Sequence, residues 1–171
     1  QLYGGVRSST RLRVVFQDEH MAVVVKPAGF KVHGRGRKTV KHVLGGSLEP
    51  SSEPDALPRP HPVHRLDALT GGLLVCAKTM RAAVHLSRAF EDRRVQKTYR
   101  ALVIGHVSGS GVLDGDVDGK PALSRYTVLR SSRSLRFDGY ISDLELSPHT
   151  GRKHQLRIHL SEFGHPIIGD G

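Results

Sequence analysis

The sequence predicts an α+β fold: a central sheet, mixed but mainly antiparallel, with helices and loops on its flanks. Two observations carry this. Segments that alternate with the two-residue period of strands outnumber those with helical spacing. Most of them also follow one another without the intervening helix that a parallel βαβ connection needs. At 171 residues the chain is long enough for a sizeable core, and residues 1–171 are expected to form a single domain.

The elements follow in order. "LRVVFQDEHMAVVVKPAG" predicts a hairpin, two Val-rich runs about a polar turn from Gln17 to His20, halted by Pro27 and Gly29. "KVHGRGRKTVKHVLGG" is basic and glycine-rich, with room for a short helix over Thr39 to Leu44. The Pro- and Ser-rich "SLEPSSEPDALPRPHP" reads as a loop. "GGLLVCAKT" reads as a buried strand. Thr79 can then cap a helix reaching roughly Arg94, with Ala82, Ala83, Leu86, Ala89 and Phe90 along one stripe. Arg93 and Arg94 suit the negative pole at its end. "KTYRALVIG", "ALSRYTVLR" and "RFDGYISDLEL" supply further strands. In "TGRKHQLRIHLSEFG" Thr150 can cap a last helix whose apolar stripe is Leu156, Leu160 and Phe163, and Gly164 stops it.

Lys and Arg total 26 against 16 Asp and Glu, a formal net charge of +10. Such an excess favours a polyanionic partner, because each phosphate neutralised releases condensed counterions. The bland alternatives are solubility or a basic structural role. No apolar run approaches the ~20 residues of a membrane-spanning helix, and no segment joins an apolar helical face to a basic one, so no membrane partner is expected. The opening "QLYGGVRSSTRLRVV" lacks the order of a secretory signal and begins without Met, as a fragment would. The lone cysteine, Cys76, excludes an internal disulfide framework and a multi-thiolate metal site. It points to a reducing, intracellular setting, whether cytoplasm, nucleus or organelle. Lying in an apolar run, Cys76 is expected to be buried and inert.

There is no phosphate-cradling GxxxxGK[ST] and no HExxH. His61 and His64 stand at H-x-x-H spacing but lack a neighbouring carboxylate or thiolate cluster, so no metal is expected. Asp67, in "HRLDALTGG", has two readings: a turn-capping carboxylate before Thr70, Gly71 and Gly72, or a reactive group. "HQLRIHL" favours the second, since it sets His154, Arg157 and Ser161 on one helical face. An Arg so presented can reach a carboxylate on another element and keep it charged, as a nucleophile or base requires. Tyr99 in "KTYRALV" adds an aromatic hydroxyl able to stack on a base or move a proton.

Taken in order, "VVVKPAGFKVH", "HRLDALTGGLLVCAK", "VQKTYRALVIG", "GKPALSRYTVL" and "TGRKHQLRIHLSEFGHPIIGD" resemble the motifs of the RluA-type pseudouridine synthases, which isomerise uridines in ribosomal or transfer RNA. The resemblance spans nearly the whole chain and implies that family's catalytic domain, with an RNA cleft across its middle. It implies an isomerase that needs neither metal nor cofactor. Position by position, it makes Asp67 the catalytic aspartate, Tyr99 the active-site tyrosine and Arg157 the basic partner of Asp67. His64 and Arg65 become RNA-binding, Arg65 in flipping the target nucleotide out of its stack. Arg152, Lys153 and His154 would lie beside the RNA backbone or the site. A monomer is expected.

Two departures stand out. Gly71 occupies the position where the family usually carries Ser, which predicts a more mobile loop. The chain also ends at Asp170 and Gly171, where the family normally continues, so a C-terminal truncation is expected. Two rivals are an inactive RNA-binding module of the same fold and a basic ribosomal protein. The retained Asp67, Tyr99 and Arg157 oppose the first, and the His-Arg-Leu-Asp and Thr-Gly-Arg arrangement has no purpose in the second.

Overall fold

A computed structural model describes residues 11–34, 39–137 and 139–170. The opening "QLYGGVRSST", the centre of the basic stretch (residues 35–38), residue 138 and residue 171 lie outside them. The chain divides into two compact units, the first ending at Asp92 and the second beginning at Arg93.

In the first unit, strand β1 (Arg13–Gln17) and strand β2 (Met21–Lys26) form the expected hairpin. Its turn is fixed by Asp18, whose Oδ1 accepts from the amides of His20 (2.8 Å) and Met21 (2.7 Å). Those amide donors hold its carboxyl below the usual range. After helix α1 (Val40–Val43) and one 3-10 turn (Leu44–Gly46) come strand β3 (Ala56–Pro62) and strand β4 (Gly72–Thr79). Strand order is β1-β2-β4-β3, and each pairing is antiparallel.

Here the proline-rich loop expected up to Pro62 gives way to a strand over its second half. Prolines cannot donate to a ladder, and β3 tolerates Pro58, Pro60 and Pro62 because it is an edge strand with a neighbour on one side only. Helix α2 (Met80–Glu91) packs on β4, and Thr79 caps it by accepting the Ala82 amide at 3.2 Å. It stops at Glu91, short of Arg94: Asp92 ends it and Arg93 turns left-handed (φ 58°). Of its stripe, Ala83 and Ala89 are buried. Cys76 is fully buried, and desolvation pushes its thiol up to about 12, so it carries no reactive thiolate.

The second unit is a four-stranded sheet of β5 (Tyr99–Ile104), β6 (Ser110–Val117), β7 (Lys120–Arg133) and β8 (Tyr140–Pro148), ordered β5-β8-β7-β6 and antiparallel throughout. The described strands therefore form two antiparallel sheets where one mixed sheet was expected, within the α+β class as anticipated. Strand β6 was not anticipated. Its signal is the "DG" at Asp118–Gly119, both left-handed (φ 53° and 69°), a two-residue hairpin turn into β7. Helix α3 (Gln155–Glu162) covers one face of this sheet, where Val103, Val107, Leu113, Leu144, Leu146 and Leu160 form the core.

Thr150 does not cap α3 directly. The cap is His154, held left-handed at φ 56° without a side-chain cap bond. Thr150 instead donates to Gln155 Oε1 (2.7 Å), and that oxygen also accepts the Arg152 amide at 2.9 Å. Of the expected stripe, Leu160 is buried and Phe163 is exposed. The face that enters the core carries Gln155 and His159 beside Leu160, because Ser124 on β7 supplies a hydroxyl to both polar side chains.

Candidate active site

Asp67 lies in the first unit on the loop between β3 and β4, half-buried, with its own carbonyl accepting the Thr70 amide at 3.1 Å. The loop is gripped from beneath by Lys26. Ala22, Val24 and Lys26 point inward from β2 at a period of two, so the last inward position of an apolar strand is an ammonium. A buried charge is tolerated only when it is thoroughly hydrogen-bonded. Lys26 Nζ donates to Pro27 O (3.1 Å), Phe30 O (2.6 Å) and Ala68 O (3.1 Å), using all three protons. Desolvation lowers the Lys26 pKa, and the charge of Asp67 opposes that shift. The Gly29 amide adds a second tie to Ala68 O at 2.8 Å.

The "KPAG" segment thus acts as a brace that fixes the residue beside Asp67. Gly71, expected to loosen this loop, lies against the same brace. A Cβ there would stand 3.5 Å from both Lys26 O and the Ala28 nitrogen, an ordinary contact. Gly72 opens β4 at φ 143°, a conformation that disfavours any side chain. Lys26 was not singled out from the sequence; the signal was there in the alternation Ala22, Val24, Lys26.

This brace yields a prediction. Lys26→Met removes three charge-assisted hydrogen bonds from a buried position and should destabilise the protein by about 3 kcal/mol or more. Urea unfolding measures it. A variant as stable as the parent would mean that the ammonium does not hold the loop.

The neighbours of Asp67 divide by role. His64 is half-buried, accepts the Val75 amide at Nε2 (3.0 Å) and stacks on Phe90 with ring centroids 4.4 Å apart. Its acceptor nitrogen is therefore unprotonated, and the ring is engaged within the unit. Leu66 is buried, which anchors the loop beside Asp67. Arg65 is exposed.

In the second unit Tyr99 begins β5 opposite Leu146 and packs against the core of that unit. Arg157, on α3, donates from Nε to Asp170 Oδ2 at 2.5 Å. Arg152 Nε reaches Pro121 O (3.3 Å), Lys153 is exposed, and His154 holds the turn into α3. Lys97, half-buried two residues before Tyr99, donates to Thr150 O at 3.2 Å and ties the start of β5 to the Thr-Gly-Arg loop. Desolvation, then the charge of Arg93, lowers its pKa. Asp67 belongs to the first unit, and Tyr99, Arg157, Arg152, Lys153 and His154 to the second. Among the described residues no group of three or more His, Cys, Asp or Glu side chains is arranged to hold a metal ion.

The profile of the RNA pseudouridylate synthase family matches residues 20–162, from the first hairpin to the end of α3. The chain belongs to this family. Ribosomal large subunit pseudouridine synthase D of Nitrosomonas europaea is 36% identical over 173 residues, covering 93% of this chain and 48% of the relative. The tRNA pseudouridine synthase C of Pectobacterium carotovorum is 36% identical over 191 residues, covering 94% of this chain and 48% of that protein. The chain thus spans about half the length of the curated relatives it matches. Among solved structures, human RNA pseudouridylate synthase domain containing 1 superposes with a TM-score of 0.75 at 28% identity, covering 95% of this chain and 69% of its own. The pseudouridylate synthase fold is therefore shared across nearly the whole chain.

Proposed function

We propose that this protein is an RNA pseudouridine synthase that isomerises particular uridines in ribosomal or transfer RNA, acting as a monomer with both units in one catalytic domain. The observation that carries the reading is membership of the family through a stretch that includes Asp67, with that residue on a loop pinned by Lys26. The names of the relatives supply the two RNA classes, and the net charge of +10 suits a polyanionic substrate.

The reaction breaks the bond between N1 of uracil and C1′ of ribose, turns the base, joins C5 to C1′, releases the C5 proton and leaves N1 protonated. Asp67 serves either by attacking C1′ to give a covalent sugar adduct, or by first removing the C2′ proton. Arg157 is the basic partner of that carboxylate. A base inside structured RNA must first leave its stack, at a cost of a few kcal/mol, roughly, and a planar group is needed in its place. The exposed guanidinium of Arg65, two residues before Asp67, has the shape for this. His64, Arg152, Lys153 and His154 complete the RNA contacts.

Tyr99 would lie against the target base and assist proton removal. Tyr99→Phe keeps the ring and deletes the hydroxyl, so RNA affinity should survive while turnover falls by about 100-fold or more. Single-turnover tritium release from RNA carrying 5-tritiated uridine, beside an RNA-binding isotherm, separates the two. Unchanged turnover would leave Tyr99 as a stacking platform alone.

A further inference from the structure

Three basic side chains of the first unit act on a fourth, His33, and among the described residues none of the four has a carboxylate for a partner. His33 follows the 31–32 segment, to which the start of α1 is tied by the Val40 amide on Lys31 O (2.9 Å) and the Lys41 amide on Val32 O (3.2 Å). Strand β3, which carries His61, packs on the 3-10 turn that continues α1. Arg65 arrives from the Asp67 loop. The charges of Lys41, Arg65 and His61 all bear on His33. Among the described residues no side-chain hydrogen bond or ion pair engages any of the four.

Like charges brought together repel, and a merely solvated basic face would spread them apart. The arrangement becomes favourable once an anion sits among them. We propose that His33, Lys41 and His61 seat one backbone phosphate of the RNA, with the Arg65 charge beside them, next to the nucleotide on which the Asp67 loop acts. The choice of RNA as the source of that phosphate rests on the proposed function; the convergence of the four groups does not.

A consequence is proton-linked binding. Partial desolvation, then the repulsion from Lys41, Arg65 and His61, holds the His33 pKa below its ordinary value. A phosphate in the seat reverses that repulsion and raises the pKa in the complex. Between the lower free value and the higher bound value, binding takes up a proton. Affinity therefore rises as the pH falls through that window, and levels off below the free value and above the bound one.

The test is fluorescence anisotropy with an unmodified hairpin RNA of about 20 nucleotides, from pH 5.5 to 8 at constant ionic strength, and over a salt series at pH 7. One phosphate contact carries a salt slope of about 0.7–0.9. Lys41→Gln should therefore weaken binding several-fold and reduce the slope by about that amount. His33→Gln should match the parent at pH 8 within about twofold but keep only part of the gain at low pH, because His61 is a second imidazole in the seat. Arg88→Gln, removing an exposed charge on α2, is the control and should change neither slope nor pH response.

If the two cluster variants behave like the control, or the low-pH gain survives undiminished in His33→Gln, the seat does not exist. If inorganic phosphate shifts the His33 resonance while RNA binding ignores both substitutions, the site takes free phosphate and the proposal fails. Tritium release from the parent protein is measured separately. Its absence alongside the predicted binding pattern would overturn the enzyme reading and leave the phosphate seat standing.

Discussion

Asp67→Asn should give a folded, RNA-binding protein that converts no detectable uridine. The substitution keeps the size of the side chain and leaves the backbone bond from the Thr70 amide to Asp67 O in place. The brace beneath the loop also survives, because Lys26 and Gly29 grip the carbonyl of Ala68 and do not depend on the carboxylate as a hydrogen-bond acceptor. Loss of stability should be on the order of 1 kcal/mol or less. Catalysis is another matter: a carboxamide has neither the nucleophilicity to form the sugar adduct nor the basicity to take a proton. Tritium release, thermal unfolding and RNA anisotropy on the same preparation decide between a structural and a chemical role. Near-normal release would reduce Asp67 to a turn residue and remove the centre of the proposed mechanism.

Arg157→Met should cost most of the activity, about 100-fold or more. Its reading is complicated by Asp170, whose carboxylate takes the Arg157 Nε proton at 2.5 Å. Breaking that pair leaves a largely shielded Asp170 (17% exposed) without the cation beside it. Activity could then fall because the last residues lose their anchor, not because Asp67 loses a partner. Asp170→Asn separates the two explanations, since an amide oxygen still accepts from Nε while the ion pair is gone. The expected result is a large loss of turnover in Arg157→Met and a small one in Asp170→Asn, with both folded by circular dichroism. Equal losses would make Arg157 a positioning residue for the C-terminal segment and nothing more. Adding free methylguanidinium to the Arg157 variant provides a further check, since partial rescue follows only if the missing group acts at the site.

Much of the molecule was legible in the chain because it depends on local chemistry. The Val-rich runs about Gln17–His20 could only be a hairpin, and Asp18 closes it with its own carboxylate. Thr79 before an amphipathic stripe gave the start of α2 to the residue. The candidate site was legible for a different reason. His-Arg-Leu-Asp, Lys-x-Tyr and Thr-Gly-Arg are short motifs whose residue types suit the proposed chemistry, and they stand out without any knowledge of contacts.

What the sequence by itself determined, then, is the α+β class, the first hairpin, the start of α2 and the basic character, and it named the candidates for catalysis. Tertiary structure alone decided how those groups are held. The stretch holding Pro58, Pro60 and Pro62 became a strand because its two ends, at Ala56 and at His61 and Pro62, pair with β4, a gain invisible to local propensity. Lys26 became the clamp of the Asp67 loop because burial at the end of β2 left its ammonium no water, and three carbonyls replaced it. His159 and Gln155 turned inward because Ser124, 31 residues before Gln155 in the chain, stood ready to bond both. In each case the deciding partner is distant in sequence, and a periodicity or a cap reports only on neighbours within a few residues of itself.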